Sequence, residues 1–159
     1  MLVPLPVRLI GLSGMKLQDV RNVVDQFVSV DHVPSCIVLH VGANDIGMLN
    51  MFTWLSELDC VLSYLNARFP HSILVWSEML PRFYYRHAFS VRAAEKSRIR
   101  NQRRARYLIS QVGGCVIPHT RILRHSSFLT DGVHLTKKGM TIFIEDLENG
   151  ITKAVLGEF

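Results

Sequence analysis

Asp131 and His134 are the pair of side chains in this sequence best suited to acid–base chemistry. They stand three residues apart around Gly132, so the chain can turn and let the carboxylate accept a hydrogen bond from the imidazole. Such a carboxylate fixes the tautomer of the histidine and stabilises its protonated form, which leaves the other ring nitrogen to take a proton from a nucleophile or from water. The alternative is a pair that only braces its loop, since Asp and Gly are common turn residues.

A second polar cluster is Gly42-Ala43-Asn44-Asp45, which follows an apolar run. The amide of Asn44 and the backbone N–H groups beside it could stabilise negative charge on an oxygen atom, as an oxyanion hole does in acyl transfer. In the alternative reading, Asn44 and Asp45 only cap the next turn, as short polar side chains commonly do.

The elements that must position these clusters alternate along the chain. Strands are predicted over residues 7–12, 36–41, 72–79 and 115–117, and helices follow them over 17–27, 51–69, 91–112 and 140–155, with Thr136 as a candidate N-cap of the last helix. This order predicts a single α/β domain over residues 1–159, a three-layer α/β/α sandwich with a parallel sheet. The run 36–41 is nearly continuously apolar and is expected to be a central strand. Because ligands bind beyond the carboxyl ends of such strands, Ser13-Gly14 and the two polar clusters are expected to meet there.

The positive charge of the chain is concentrated in one segment. The formal net charge is +5, and nine of the 18 Lys and Arg residues lie within residues 82–106, where Glu95 is the only acid. Such a segment either contacts a nucleic acid or another polyanion, or is a solvated helix face. The bases that would make the contact are Arg92, Arg98, Arg100, Arg103, Arg104 and Arg106.

Composition excludes several other classes of protein. With 48% hydrophobic and 19% charged residues, the chain is neither disordered nor a coiled coil. No secretory signal and no apolar run long enough to span a membrane is visible, so an intracellular, cytoplasmic protein is expected. The three cysteines are expected to be free thiols, and His40 a satisfied core residue. A zinc site from His119, His125, Asp131 and His134 lacks a dense ligand pattern, so no metal or other cofactor is predicted.

The motifs together resemble the SGNH hydrolase family of GDSL-type esterases and lipases. Gly42-Ala43-Asn44-Asp45 matches the family's GxND block, Asp131-Gly132-Val133-His134 matches its DxxH block, and Gly11-Leu12-Ser13-Gly14 looks like its oxyanion glycine block. The segments VWSEMLPR (75–82) and GGCVIPHT (113–120) further look like a subgroup of these domains found in mobile-element open reading frames. The resemblance implies a flavodoxin-like sheet and hydrolysis of a small ester, with His134 as general base, Asp131 orienting it, and Asn44 and the Gly14 N–H as oxyanion donors.

One block of the family has no counterpart. Its nucleophilic serine lies in a Gly-Asp-Ser block upstream of the block matched by Gly14, and residues 1–12 contain no serine. Ser13 is the only nearby substitute, one strand away from the family's position. The family's strand order of 2-1-3-4-5 would then lack its first strand, so either residues 7–12 pair directly with 36–41 or a parallel edge stays exposed.

We therefore expect an N-terminally incomplete SGNH-like domain in which ester hydrolysis is weak or lost. The alternatives are a non-catalytic binding module for nucleic acid or another polyanion, which would use the Arg-rich helix, and a remnant with neither activity nor partner. The sequence predicts no oligomeric state.

Overall fold

Three short parallel strands form the sheet of this protein. The computed structural model describes residues 6–29 and 31–159. Strands β1 (Cys36–Leu39), β2 (Ile73–Ser77) and β3 (Cys115–Ile117) lie side by side in that order, with Cys36 opposite Ile73 and Val75 opposite Cys115. Helices cover both faces of the sheet, which confirms the predicted α/β class. They are α1 (Val20–Phe27), α2 (Met51–Arg68), α3 (Val91–Gln111) and α4 (Lys137–Leu156).

Side-chain alternation along the strands creates two separate cores. Leu74 and Trp76 of β2 point to the face that packs against α2 and α3. Val75 points to the opposite face, where it packs with Ile117 and with Ala154 of α4. This period of two is what a strand buried on both faces requires.

The long helices begin where their capping residues predict. Asn50, Ser90 and Thr136 each accept a backbone N–H bond three residues on, at 3.0, 3.1 and 3.1 Å, and so satisfy one of the free donors of the first turn. The N-cap expected at Thr136 is confirmed. No helix in the described part of the chain combines the length and the apolar composition that crossing a membrane requires.

Two strand predictions were wrong. Residues 7–12 form no strand, and Val7 and Leu9 are 62% and 86% exposed. A strand exists only where a partner completes its hydrogen-bond ladder, and among residues 6–29 and 31–159 β1 pairs only with β2. For the same reason β1 is an edge strand, and β2 is the central one. The apolar run at 36–41 indicated cover on both faces, which an edge strand can also have.

Candidate active site

Asp131 and His134 form a hydrogen-bonded dyad in the loop before α4. His134 Nδ1 lies 2.6 Å from Asp131 Oδ2, and Asp131 Oδ1 accepts the backbone N–H groups of His134 at 2.8 Å and Val133 at 2.9 Å. The backbone N–H of His134, its ring and the Val133 N–H hold the pKa of Asp131 well below its usual range. The His134 side chain is 78% exposed, and within the described residues its Nε2 has no hydrogen-bond partner.

Asn44 is held at the end of β1 by two contacts. Its Nδ2 donates to the Met15 carbonyl at 2.9 Å, and its Oδ1 accepts from Arg82 Nη1 at 3.0 Å. The amide group therefore has a fixed orientation, with one of its two N–H bonds committed to Met15. Its neighbour Asp45 is buried and accepts the Leu17 N–H at 3.1 Å, and burial raises the pKa of this carboxyl. Asp45 thus caps the short 3-10 turn that leads into α1.

Two consecutive residues connect the two polar clusters. Arg82 bonds Asn44, and the backbone N–H of Phe83 donates to the Gly132 carbonyl at 2.8 Å. Gly132 has a φ of +87°, and a Cβ at this position would lie 2.9 Å from the Phe83 Cβ, so the close approach requires glycine. The structure therefore brings the DGVH loop and the GAND turn to one edge of the sheet. Sequence analysis missed Arg82, although it lies just beyond β2.

Ser13 and Gly14 lie in an exposed turn beside this site. Gly14 has a φ of +71°, and Met15 N–H donates to the Leu12 carbonyl across the turn at 3.3 Å. The Ser13 side chain makes no hydrogen bond within residues 6–29 and 31–159, so the structure does not place it on His134. A cavity of about 190 Å³ next to Asn44 is lined by Ile10, Gly11, Leu12, Met15, His40, Val41, Gly42, Ala43, Asn44, Met79 and Arg82. Neither Gly14 nor His134 lines it.

Comparisons with known proteins bear on the fold. No protein-family model matches the sequence, and the search of curated proteins finds no match. Among solved structures, a GDSL-like lipase from Bacteroides thetaiotaomicron is 15% identical with a TM-score of 0.67, over 92% of this chain and 74% of the lipase. A psychrotrophic esterase from Pseudoalteromonas is 16% identical with a TM-score of 0.61, over 89% of this chain and 73% of the esterase.

The fold is that of the GDSL-type hydrolases. In this GDSL-type fold the GAND turn follows β1 and the DGVH loop precedes α4, so both motifs lie at the carboxyl edge of the sheet. Ligand sites of open α/β sheets occur at that edge. Within the part of the chain that the structure describes, no group of three or more His, Cys, Asp or Glu side chains could hold a metal ion.

Two arginines of the Arg-rich helix in this GDSL-type fold bond to the residues that follow β2. Arg98 is buried, donates to the Met79 carbonyl at 2.9 Å and pairs with Glu95 at 2.9 Å. Arg106 Nε donates to the buried carboxylate of Glu78 at 2.6 Å. Both guanidinium groups have partners within the fold, although the Arg106 side chain is still 53% exposed, and contact of this helix with a polyanion stays a prediction. Arg92, Arg100, Arg103 and Arg104 are exposed.

A further polar cluster lies on the face of the sheet that α4 covers, and sequence analysis did not connect its members. Ser77 Oγ, at the end of β2, lies 3.0 Å from His40 Nδ1 and 2.8 Å from His119 Nε2. Desolvation of its ring, with His119 nearby, lowers the pKa of His40 to about 4, although much of the residue's surface faces solvent. His40 is thus not the core residue expected. Burial lowers the pKa of His119 as well, against the opposing effect of Asp146.

Proposed function

We propose that this chain is an ester hydrolase domain of the SGNH type in which the base and the oxyanion side are present, and in which turnover is weak or lost. The supporting observation is the contact of Arg82 and Phe83 with Asn44 and Gly132, because it holds the DGVH loop beside the GAND turn. The substrate class that we propose is an ester of a short carboxylic acid.

His134 is the general base of the proposed reaction. Its Nδ1 is committed to Asp131, so its exposed Nε2 is the nitrogen that would take a proton. The pKa of Asp131 is held low, which keeps the carboxylate ionised to stabilise the imidazolium that forms. No serine hydroxyl bonds to this imidazole in the described chain, and for that reason we expect slow attack by water in place of rapid acyl transfer.

Asn44 and Arg82 form the proposed oxyanion side. Asn44 has one amide N–H beyond the one that it donates to Met15, and the guanidinium of Arg82 lines the same cavity. Donors with fixed positions stabilise developing negative charge at little reorganisation cost, and one such donor is worth about 2.7–4 kcal/mol in acyl transfer.

The test is turnover of short-chain nitrophenyl esters by purified Ser77→Ala protein and by three further variants in the same background, so that no turnover comes from the Ser77 hydroxyl that bonds to His119. We expect His134→Ala to abolish hydrolysis and His125→Ala, a change at another exposed histidine of the same region, to leave it unchanged. Hydrolysis that survives His134→Ala would refute the role of His134. Loss of hydrolysis in Ser13→Ala as well would identify Ser13 as the nucleophile, whereas retention there would indicate water or another group.

The exposed face of α3 supports a second candidate function, binding of nucleic acid or another polyanion. Lys96, Arg100, Arg103 and Arg104 line a shallow groove around Ile99, and no acidic side chain in the described ranges pairs with any of these four bases. The mobile-element likeness of residues 75–82 and 113–120 stays a prediction that agrees with this candidate.

Retention on DNA and RNA across a salt series tests the second candidate. Replacing Arg100, Arg103 and Arg104 by Gln should lower the slope of log K against log salt by about one for each arginine that contacts a phosphate. The control variant removes the same charge from α4 by replacing Lys137, Lys138 and Lys153 with Gln, and its slope should match the wild type. Equal slopes for both triple variants, or no retention at low salt, would refute the proposal.

A further inference from the structure

Ser77, His119 and Asp146 form a continuous hydrogen-bonded chain. Ser77 Oγ lies 2.8 Å from His119 Nε2, and His119 Nδ1 lies 3.0 Å from Asp146 Oδ2. Asp146 Oδ1 is in turn held by Arg121, whose Nε and Nη2 donate to it at 3.1 and 2.6 Å. This is the order of hydroxyl, imidazole and orienting carboxylate that activates a serine nucleophile.

Three separate segments build this chain at the carboxyl edge of the sheet. Ser77 is the last residue of β2, His119 follows β3 by two residues, and Asp146 lies in α4. The strand register sets Ser77 opposite Ile117, which brings the two segments together. Ser77 and His119 are buried, so their polar atoms depend on one another for hydrogen bonds.

We propose that Ser77 is an acyl-accepting nucleophile, with His119 as its base, Asp146 as the positioning residue of that base, and His40 as a cover over the hydroxyl. The site is separate from the dyad of Asp131 and His134. It does not depend on the function proposed for that dyad, because it uses a different base.

The hydrogen-bond network determines the proton positions. The Asp146 carboxylate accepts from Arg121 and from the His119 ring, so His119 carries its proton on Nδ1 and presents an unprotonated Nε2 to the Ser77 hydroxyl. Ser77 then donates to His119 and accepts from His40 Nδ1 at 3.0 Å. Burial favours the neutral form of His119, which is the form that can accept a proton from the hydroxyl.

His40 controls access to Ser77. Ser77 has no exposed surface, whereas His40 faces solvent and lines the cavity of about 190 Å³ that Asn44 and Arg82 also line. The rings of His40 and Phe143 pack edge to face, with their centroids 4.9 Å apart. Rotation of this imidazole into solvent uncovers Ser77 Oγ toward the cavity, whose volume of about 190 Å³ suits a short acyl group.

The proposed reaction is acyl transfer from an ester to Ser77. The Oγ atom bonds to the ester carbonyl carbon while its proton moves to His119 Nε2. The bond from that carbon to the alcohol oxygen then breaks, and the leaving alcohol takes the proton from Nε2. A water molecule then bonds to the acyl carbon while one of its protons moves to His119 Nε2. The bond from that carbon to Ser77 Oγ breaks, Oγ takes the proton from Nε2, and the carboxylic acid leaves.

The test is covalent labelling by a small alkyl fluorophosphonate, followed by peptide mapping with mass spectrometry. We expect the label on Ser77 in the wild type and at least a tenfold faster rate in His40→Ala, because the cover is absent. Asp146→Asn should slow labelling at least tenfold, and Asp146→Glu should restore part of the rate and shift its pH profile. Ser72→Ala removes a hydroxyl that bonds the Pro34 carbonyl and no imidazole, and it should label at the wild-type rate.

Three outcomes would overturn the proposal. The first is the absence of label on Ser77 in His40→Ala. If His40→Ala does not fold, the corresponding result is the absence of label on Ser77 in the wild type after prolonged exposure to the fluorophosphonate. The second is a labelling rate that Asp146→Asn leaves unchanged while circular dichroism shows a folded protein. The third is a label on Ser77 that is lost in His134→Ala, since the base would then be His134. If Ser77 is labelled as expected but the ester hydrolysis assigned to His134 is not found, only the function proposed for the dyad of Asp131 and His134 is refuted.

Discussion

Replacement of Gly42 by Ala should destabilise the protein through two separate effects. Gly42 has a φ of +97°, and an L residue in a left-handed conformation costs about 1–2 kcal/mol. A Cβ at this position would also lie 2.7 Å from Cζ2 of Trp54, and forcing extra volume into a packed core costs about 1–3 kcal/mol. Trp54 cannot retreat easily, because it is fully buried and its Nε1 donates to the Gly42 carbonyl at 3.0 Å. The expected total is about 2–5 kcal/mol.

Gly113→Ala is the matched control for Gly42→Ala. Gly113 has a φ of +67°, and a Cβ there would meet nothing within 4 Å, so only the backbone cost of about 1–2 kcal/mol applies. The assay is urea unfolding followed by tryptophan fluorescence, with the midpoints compared at equal m. In a domain of this size the difference of about 1–3 kcal/mol corresponds to about 2–12 °C in Tm.

Equal destabilisation by Gly42→Ala and Gly113→Ala would refute the reasoning, since the contact with Trp54 would then contribute nothing. The double variant that combines Gly42→Ala with Trp54→Phe provides a second check. A smaller aromatic ring relieves the contact, so the combined destabilisation should fall short of the sum by about 0.5–3 kcal/mol. If the two changes in the free energy of unfolding simply add, the Trp54 ring is not the group that the new Cβ at position 42 contacts.

Three further predictions concern the scaffold of the site. The ring protons of His40 should titrate near pH 4 by NMR. Because its folded pKa lies below its unfolded value near 6.5, the folded state should lose stability as the pH falls from about 6.5 through 4. His40→Gln should reduce that dependence and leave the contribution of His119, whose pKa is also lowered. Arg98→Ala should destabilise by about 3–5 kcal/mol in urea, whereas Arg104→Ala on the exposed face should change stability by less than about 0.5 kcal/mol. Thr136→Ala should lower the free energy of unfolding by about 1 kcal/mol through loss of the N-cap, and Thr141→Ala inside the same helix should cost less.

Local spacing predicted the parts of the site that are local in the chain. Asp131 and His134 are three residues apart, so a single turn decides their contact, and the hydrogen bond follows from the residue types alone. The cap at Thr136 is predictable for the same reason. The contact between Gly132 and Phe83 could not be predicted from local spacing, because it depends on how the loop before α4 folds back over the end of β2.

Long-range contacts were the ones that sequence analysis missed. Ser77 and His119 are separated by 42 residues, and their contact depends on the register of β2 against β3, which no local pattern determines. The inward direction of Arg98 was missed because helical periodicity counts apolar positions, whereas this buried position is satisfied by a carbonyl and a carboxylate. The signal available was Glu95 three residues earlier, the only acid of the basic segment.

Arg98 and Arg106 of α3 determine the rotation of that helix about its own axis through their bonds to the end of β2. Its buried apolar residues include Ala94 and Ala105, which are small and would permit more than one rotation. Arg98 donates to the Met79 carbonyl and Arg106 donates to the Glu78 carboxylate, and both acceptors directly follow β2. The two arginines lie about two turns apart on the helix. The guanidinium groups of the buried Arg98 and the half-exposed Arg106 thus help to determine the direction in which the other arginines of α3 point. Replacing Arg98 should let the basic face rotate relative to the sheet while its exposed arginines keep their charge.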